Sequence, residues 1–256
     1  TASHLASRRT NLLGVTMTPG NPYHGELVEE ILARTHDRGY EVLLSPVTRS
    51  HEEFASIQTL VDSRCEVIVL LNSTLTEDDL AKALDGQPAI CVGRPLSLVD
   101  VDVITSGDDA AMVLVVDHLV ALGHRRIAHL DGGELYLPAE RRQAYRAAML
   151  AHGLEPLVIP AGETQERGAE AAEQLLRHRD VTAAVAYNDL CAIGAMDRLQ
   201  RNGVRVPQDI SLTGFDDDLI AGLYGIDLTT IDPFKLEQAR MAVDWALERV
   251  EGRRST

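Results

Sequence analysis

Gly203-Val-Arg-Val-Pro207-Gln-Asp-Ile210-Ser-Leu-Thr213-Gly-Phe215-Asp-Asp-Asp218 is the stretch whose reading decides the fold. A helix is expected to end at Gly203, and Pro207 bars its continuation. A short apolar strand then runs from Ile210 to Thr213 and opens into Phe215 followed by three carboxylates. Polar groups at the carboxyl end of a strand mark the place where open α/β sheets bind ligands.

Outward from that stretch, apolar runs of strand length alternate with amphipathic segments of helix length. The expected strands are Leu12 to Met17, Glu41 to Val47, Val67 to Leu71, Ala89 to Gly93 and Val101 to Thr105 in the first half. In the second half they are Arg126 to Leu130, Leu157 to Ile159, Ala183 to Tyr187, Ile210 to Thr213 and Leu228 to Ile231. The first helix has Asn21 as its N-cap and Pro22 at its first position, places Leu27, Val28, Ile31 and Leu32 on one stripe, and stops at Gly39. Further helices are expected near 110 to 122, 138 to 152, 166 to 178, 189 to 202 and 234 to 250. Such β/α alternation implies mostly parallel sheets.

The 256 residues, 45% hydrophobic and 25% charged, suffice for two packed cores. A net charge of -15, from 39 acidic against 24 basic residues, argues that this surface does not itself hold nucleic-acid phosphates. Cys65, Cys91 and Cys191 are widely spaced, and they are read as buried thiols of a reducing cytosol instead of metal ligands or nucleophiles. There is no apolar stretch of membrane-spanning length and no secretory run at the start, so a cytoplasmic protein without a membrane partner is expected.

The strand tips carry polar groups in both halves. Thr18, Asn21, Tyr23 and His24 follow the first strand, Asn72 and Ser73 the third, and Arg94 the fourth. Asp131, Glu134 and Tyr136 follow the sixth, Asn188 and Asp189 the eighth, and Asp216 and Asp217 the ninth. Convergence of this kind suits a cleft between two doubly wound lobes. Enzyme signatures are missing: Gly14, Gly20 and Gly25 lack dinucleotide-loop spacing, and neither a P-loop nor a nucleophile elbow occurs. The nine histidines contain no zinc-binding pair, and neither metal nor cofactor is expected. Asp216 to Asp218 suit a hard cation less well than the capping of a short helix or the lining of a hinge.

Four phrases in order resemble the effector-binding core of the LacI/GalR family of bacterial transcription regulators. They are Leu13-Gly-Val15 with Asn21-Pro-Tyr-His24; His118-Leu-Val-Ala-Leu-Gly-His-Arg-Arg-Ile127; Ala186-Tyr-Asn-Asp189 with Ala192-Ile-Gly-Ala195; and the run from Gly203 to Asp217. The resemblance covers nearly the whole chain. It implies an α/β fold of two Rossmann-like doubly wound parallel-sheet lobes, of the periplasmic-binding-protein-like type I, spanning 11–130 plus 219–251 and 131–218.

By the same resemblance residues 1–10 look like the end of a hinge helix, with Leu5 at the position that wedges into the DNA minor groove. A helix-turn-helix headpiece would precede it. The pocket arginine falls on Arg141, with Arg142 competing; Asp189 falls on the aspartate that accepts from ligand hydroxyls or amines, and Tyr23 and His24 on effector-touching positions. With the strand-tip groups, the effector-binding set becomes Tyr23, His24, Asn72, Arg94, Tyr136, Arg141, Glu163, Asn188, Asp189 and Asp217. Glu163 replaces an aromatic plate that relatives often show, Gly107 stands where an aspartate is usual, and Gly225-Ile-Asp227 replaces a proline. These departures leave room for a more polar or cationic effector.

The implied protein is the ligand-sensing, dimerising core of a DNA-binding regulator, expected to be a repressor. A small polar effector, a sugar first, closes two lobes of a homodimer and so orders or melts hinge helices on operator DNA. A periplasmic sugar-binding protein of a transporter and a doubly wound enzyme are the alternatives.

Overall fold

The computed structural model describes residues 9–254. They fall into two compact units, one running to Ser106 and resuming at Phe234, the other spanning Gly107–Pro233. Leu5 and the rest of residues 1–8, expected as part of a hinge helix, lie outside the described residues, and Arg9 and Thr10 of that expected segment are not helical.

The first unit is a parallel sheet of β1 (Leu12–Met17), β2 (Glu41–Pro46), β3 (Val67–Leu71), β4 (Ala89–Val92) and β5 (Val101–Ile104), in the order β2-β1-β3-β4-β5. Every residue of β3 and β4 is buried, as expected of parallel strands covered on both faces. On one face α1 (Pro22–His36) and α8 (Lys235–Val250) pack Leu27, Ile31, Ala242 and Val243 against Leu13, Val15 and Val69. On the other, α2 (Glu53–Asp62) and α3 (Glu77–Leu84) pack Ile57, Leu60 and Leu80 against Ile68 and Leu70. Asn21 caps α1 as its sequence demands, its side chain accepting from the His24 N–H. Leu32, expected on the buried stripe, is exposed.

The second unit repeats the plan with β6 (Ile127–Asp131), β7 (Leu157–Pro160), β8 (Ala183–Ala186) and β9 (Ser211–Thr213), all parallel, in the order β7-β6-β8-β9. Helices α4 (Asp108–Ala121) and α5 (Tyr136–Ala151) cover one face; α6 (Gln165–Leu175) and α7 (Asp189–Arg201) cover the other. Gly203, at φ +78, follows the end of α7. In both units the chain reverses direction across the sheet beside the first strand, at β1/β3 and at β6/β8, which is where doubly wound sheets open a crevice.

The structure moves the expected lobe boundaries. Residues 107–130 belong to the second unit because β6 pairs with β7 and β8, and α4 packs on α5. Residues 219–233 stay there too, because the Gly214 and Asp216 N–H groups donate to the carbonyls of Thr229 and Ile231. Leu228 to Ile231, expected as a strand, contributes only an isolated bridge between Thr213 and Thr229. Helices α2 and α3 went unpredicted.

α6 and α7 approach so closely that side chains are excluded between them. A Cβ on Gly168 would fall 2.0 Å from the Cys191 carbonyl oxygen, and one on Gly194 1.9 Å from that of Gln165. Because the obstacles are backbone, the helices themselves would have to separate. Gly168→Ala and Gly194→Ala should each destabilise the protein by about 1–3 kcal/mol or more, read as a lower urea midpoint at unchanged slope; an unshifted midpoint would contradict the packing.

Candidate functional site

In the first unit the switch-point crevice is built around His24. The Thr18 N–H donates to its Nδ1 at 3.0 Å, and its Nε2 lies 3.2 Å from the Asn72 carboxamide. With Nδ1 accepting, a neutral ring carries its proton on Nε2, so a hydrogen bond there requires the Asn72 carboxamide to turn its oxygen, not its NH2, to the ring. Burial lowers the His24 pKa to about 4. Asn72 stands in the left-handed region at φ 51, and Gly93 has to be a glycine because a Cβ there would meet the Asn72 side chain at 2.4 Å. Arg94 turns to the Leu75 carbonyl, bracing the loop after β3. Tyr23 is drawn into the core, its hydroxyl donating to Gln238 Oε1 at 2.7 Å.

In the second unit Arg141, 5% exposed, organises the strand tips. Its Nε donates to Asp108 Oδ2 at 2.7 Å and its Nη1 to the Tyr187 carbonyl at 2.6 Å, while Nη2 lies 3.9 Å from Asp216 Oδ1. The guanidinium carbon stacks 3.5 Å from the Phe215 ring centroid and 4.7 Å from that of Tyr187. Burial alone would lower the Arg141 pKa, but Asp108 and then Tyr187 and Asp216 more than offset it, so the charge is held firmly. Arg142 takes a different partner: its Nη1 donates to Asp131 Oδ2 at 2.5 Å and to the Gly133 carbonyl at 2.9 Å.

Asp189 opens α7 with its side chain fully buried. Its Oδ1 accepts from the Thr230 hydroxyl at 2.6 Å and its Oδ2 from the Asp218 N–H at 2.8 Å. A Cβ on Gly214 would land 2.0 Å from Asp189 Oδ1, which explains the glycine before Phe215. Beyond it the backbone is held in unfavourable regions, Asp216 at φ 105 and Asp217 at φ 51, a cost that tends to gather at ligand sites. Asp218 holds the N-cap position of a short 3-10 turn (Leu219–Gly222) without a side-chain capping bond, so the expected capping role is not the one it plays. Asn188 caps α7 by accepting from the Cys191 N–H at 2.9 Å and donates to the Glu163 carbonyl at 3.1 Å.

Residues 116–256 match the family model for a periplasmic binding protein-like domain. The transcriptional regulator AscG of Escherichia coli is 33% identical over 86% of this chain and 69% of its own length. A LacI transcriptional regulator structure from a Rhodococcus species superposes with a TM-score of 0.90 at 42% identity, covering 94% of this chain and 91% of that one. The chain belongs to the LacI/GalR family of transcriptional regulators. A complex of the regulator CelR with cellobiose also superposes, at a TM-score of 0.85 and 27% identity, over 97% of this chain and 80% of that one.

Of the positions that the LacI/GalR resemblance and the strand tips picked out, His24 and Asn72 meet in the first unit, while Tyr23 and Arg94 point elsewhere. In the second, Arg141 and Asp189 share the environment of Asp216; Asp217 is exposed beside them, Tyr136 opens α5 half-exposed, and Glu163 takes part through its carbonyl. Sequence reasoning passed over Asp108, Tyr187, Phe215 and Thr230 as site residues. The signal for Asp108 was its place at the start of a helix directly after Gly107. Cys65, Cys91 and Cys191 are all buried, with thiols pushed up to about 11, 12 and 12 by burial. Among the described residues no group of three or more His, Cys, Asp or Glu is placed to hold a metal, and no helix is long and apolar enough to cross a membrane.

Removing the Asp189 carboxylate strands a buried N–H and a part-buried hydroxyl. Asp189→Ala should therefore cost about 2–5 kcal/mol in chemical denaturation, and Asp189→Asn distinctly less; equal effects would contradict the network. His24 and His129 are both buried neutral, each with its pKa lowered by burial to about 4 from 6.5. Their contribution is whole above pH 6.5 and is lost as pH falls toward 4, because the unfolded chain takes up protons first. Each accounts for up to about 3 kcal/mol. Asp216, whose pKa is raised, works in the opposite sense. Urea midpoints between pH 7 and 4.5 should fall, and His129→Gln should flatten that slope.

Proposed function

We propose that this chain is the effector-sensing core of a LacI/GalR transcriptional regulator, binding a small polar molecule, a sugar first, at the strand tips that face the β1/β3 and β6/β8 switch points. The observation that carries the reading is the Arg141 cluster: a caged guanidinium, two strained aspartates and aromatic rings at the end of β6, β8 and β9. Planar, preorganised polar groups beside aromatic faces suit ring hydroxyls. His24 with Asn72 supplies a second polar group set, and the cellobiose bound by CelR is of the same chemical kind.

In this reading the effector shifts a population between arrangements that differ in affinity for operator DNA, and no bond is made or broken. Operator contact and a homodimer belong to the same proposal. A thermal-shift panel of sugars, polyols, nucleobases and amino acids tests it. A ligand at about 100 times its Kd stabilises by about 2.7 kcal/mol, a shift of several degrees. Asn72→Ala and Asp217→Ala should each diminish the shift. No shift from any compound would remove the small-molecule reading.

A further inference from the structure

The run from His118 to Ile127 closes α4 and enters β6 at the edge of the second sheet opposite the strand tips. Helix C-termini and strand amino ends meet along that edge, and residues 177–182, ahead of β8, lie against it. The Thr182 N–H donates to the Arg126 carbonyl at 3.0 Å, and the Thr182 hydroxyl is 2.8 Å from His124 Nδ1. His124, Arg125, Arg126, Arg177, His178 and Arg179 are thereby brought to one surface.

In a chain of 39 acidic against 24 basic residues, an arginine has carboxylates to choose from. Arg198, Arg201 and Arg205 of the same unit each take one: Glu173, Asp197 and Asp209. Arg125, Arg177 and Arg179 are exposed and form no ion pair among the described residues. Of the carboxylates at the edge, Asp180 is taken by Arg126 at 2.8 Å, Asp117 is held by His152, and Glu155 reaches outward, 86% exposed and 3.8 Å from Arg126. Cations are left in excess.

Local structure accounts for only part of that excess. Arg125 Nη1 closes the end of α4, donating to the Val120 and His124 carbonyls at 3.0 and 2.9 Å. Arg177 and Arg179, just beyond the end of α6, donate to no backbone carbonyl among the described residues. The helix dipole favours cations there, but only weakly where they are exposed. Leu122, the C-cap residue of α4, stands 63% exposed two residues before His124. An apolar side chain beside unpaired guanidinium groups has the composition of a docking patch, an apolar centre with a charged rim.

We propose that this edge docks a short acidic segment of a partner protein, with carboxylates flanking one apolar side chain. Guanidinium forks take carboxylates in bidentate pairs, and Leu122 offers a seat that a nucleic-acid backbone would leave unused. A net charge of -15 repels a long polyanion from the rest of the surface, whereas a short segment stays within the patch. The surface is independent of effector sensing.

Fluorescence anisotropy of the whole chain with labelled probes tests it: a twelve-residue Glu-rich peptide with a central Leu, the same peptide with Lys for Glu, and a thymidine oligonucleotide of equal length. The Glu peptide should bind in the micromolar range at low salt and weaken steeply as salt rises, and the Lys peptide should not bind. Arg177→Glu combined with Arg179→Glu should weaken the Glu peptide about tenfold or more, and Leu122→Ala severalfold. Arg49→Glu, at an exposed arginine of the first unit, should change it by about twofold or less. An unchanged melting temperature in each variant separates lost binding from lost fold. Absence of saturable binding, an equal loss from Arg49→Glu, or an oligonucleotide that binds as tightly as the Glu peptide overturns the inference.

Discussion

Burying the Arg141 guanidinium is the constraint from which the second unit's strand tips follow. A cation taken out of water costs several kcal/mol unless its donors and its charge are met. One carboxylate, one carbonyl and two aromatic faces meet them here, and they come from three elements: Asp108 from α4, the Tyr187 carbonyl and ring from the end of β8, and Phe215 from the end of β9. The register of those elements is thereby fixed where a ligand would reach them. Gly214 and Asp189 extend the constraint, since the strand can leave β9 only along a path that gives room to a buried carboxylate.

The same principle runs more quietly through the first unit. His24 is held neutral by burial and oriented by a backbone N–H, so it presents a fixed ring and no charge. Tyr23, one residue earlier on the helix, keeps its ring 5.9 Å from that of His24 but sends its hydroxyl into the core, to Gln238. A turn of about 100° per residue sets the two side chains toward different neighbours.

Much of the architecture was legible because parallel strands buried on both faces are nearly continuous apolar runs; β1 and β3 begin and end where the sequence puts them. The helices α2 and α3 were missed although α3 announces itself by a reciprocal cap between Thr76 and Asp79. The boundary between units could not be read, because strand 6 looks the same whichever sheet it joins. At the site, Arg141 and Asp189 were visible as phrases, but their partners were not. Asp108, Tyr187 and Thr230 are separated from them in sequence, and only the folded sheet brings a helix start, a strand end and a late loop together. Leu228 to Ile231 misled because an apolar run two residues before a proline can accept hydrogen bonds without becoming a full strand.

The contact between α6 and α7 has a mechanical meaning. With Gly168 against the Cys191 carbonyl and Gly194 against that of Gln165, neither helix can slide or roll on the other without driving backbone into backbone. Side-chain contacts yield by changing rotamers, and at these two crossings there is none to change. The two helices therefore behave as a single stiff plate under one face of the sheet. A displacement imposed at the start of α7, where Asn188 and Asp189 sit, is carried undamped into α6 and the loop of Glu163 ahead of it.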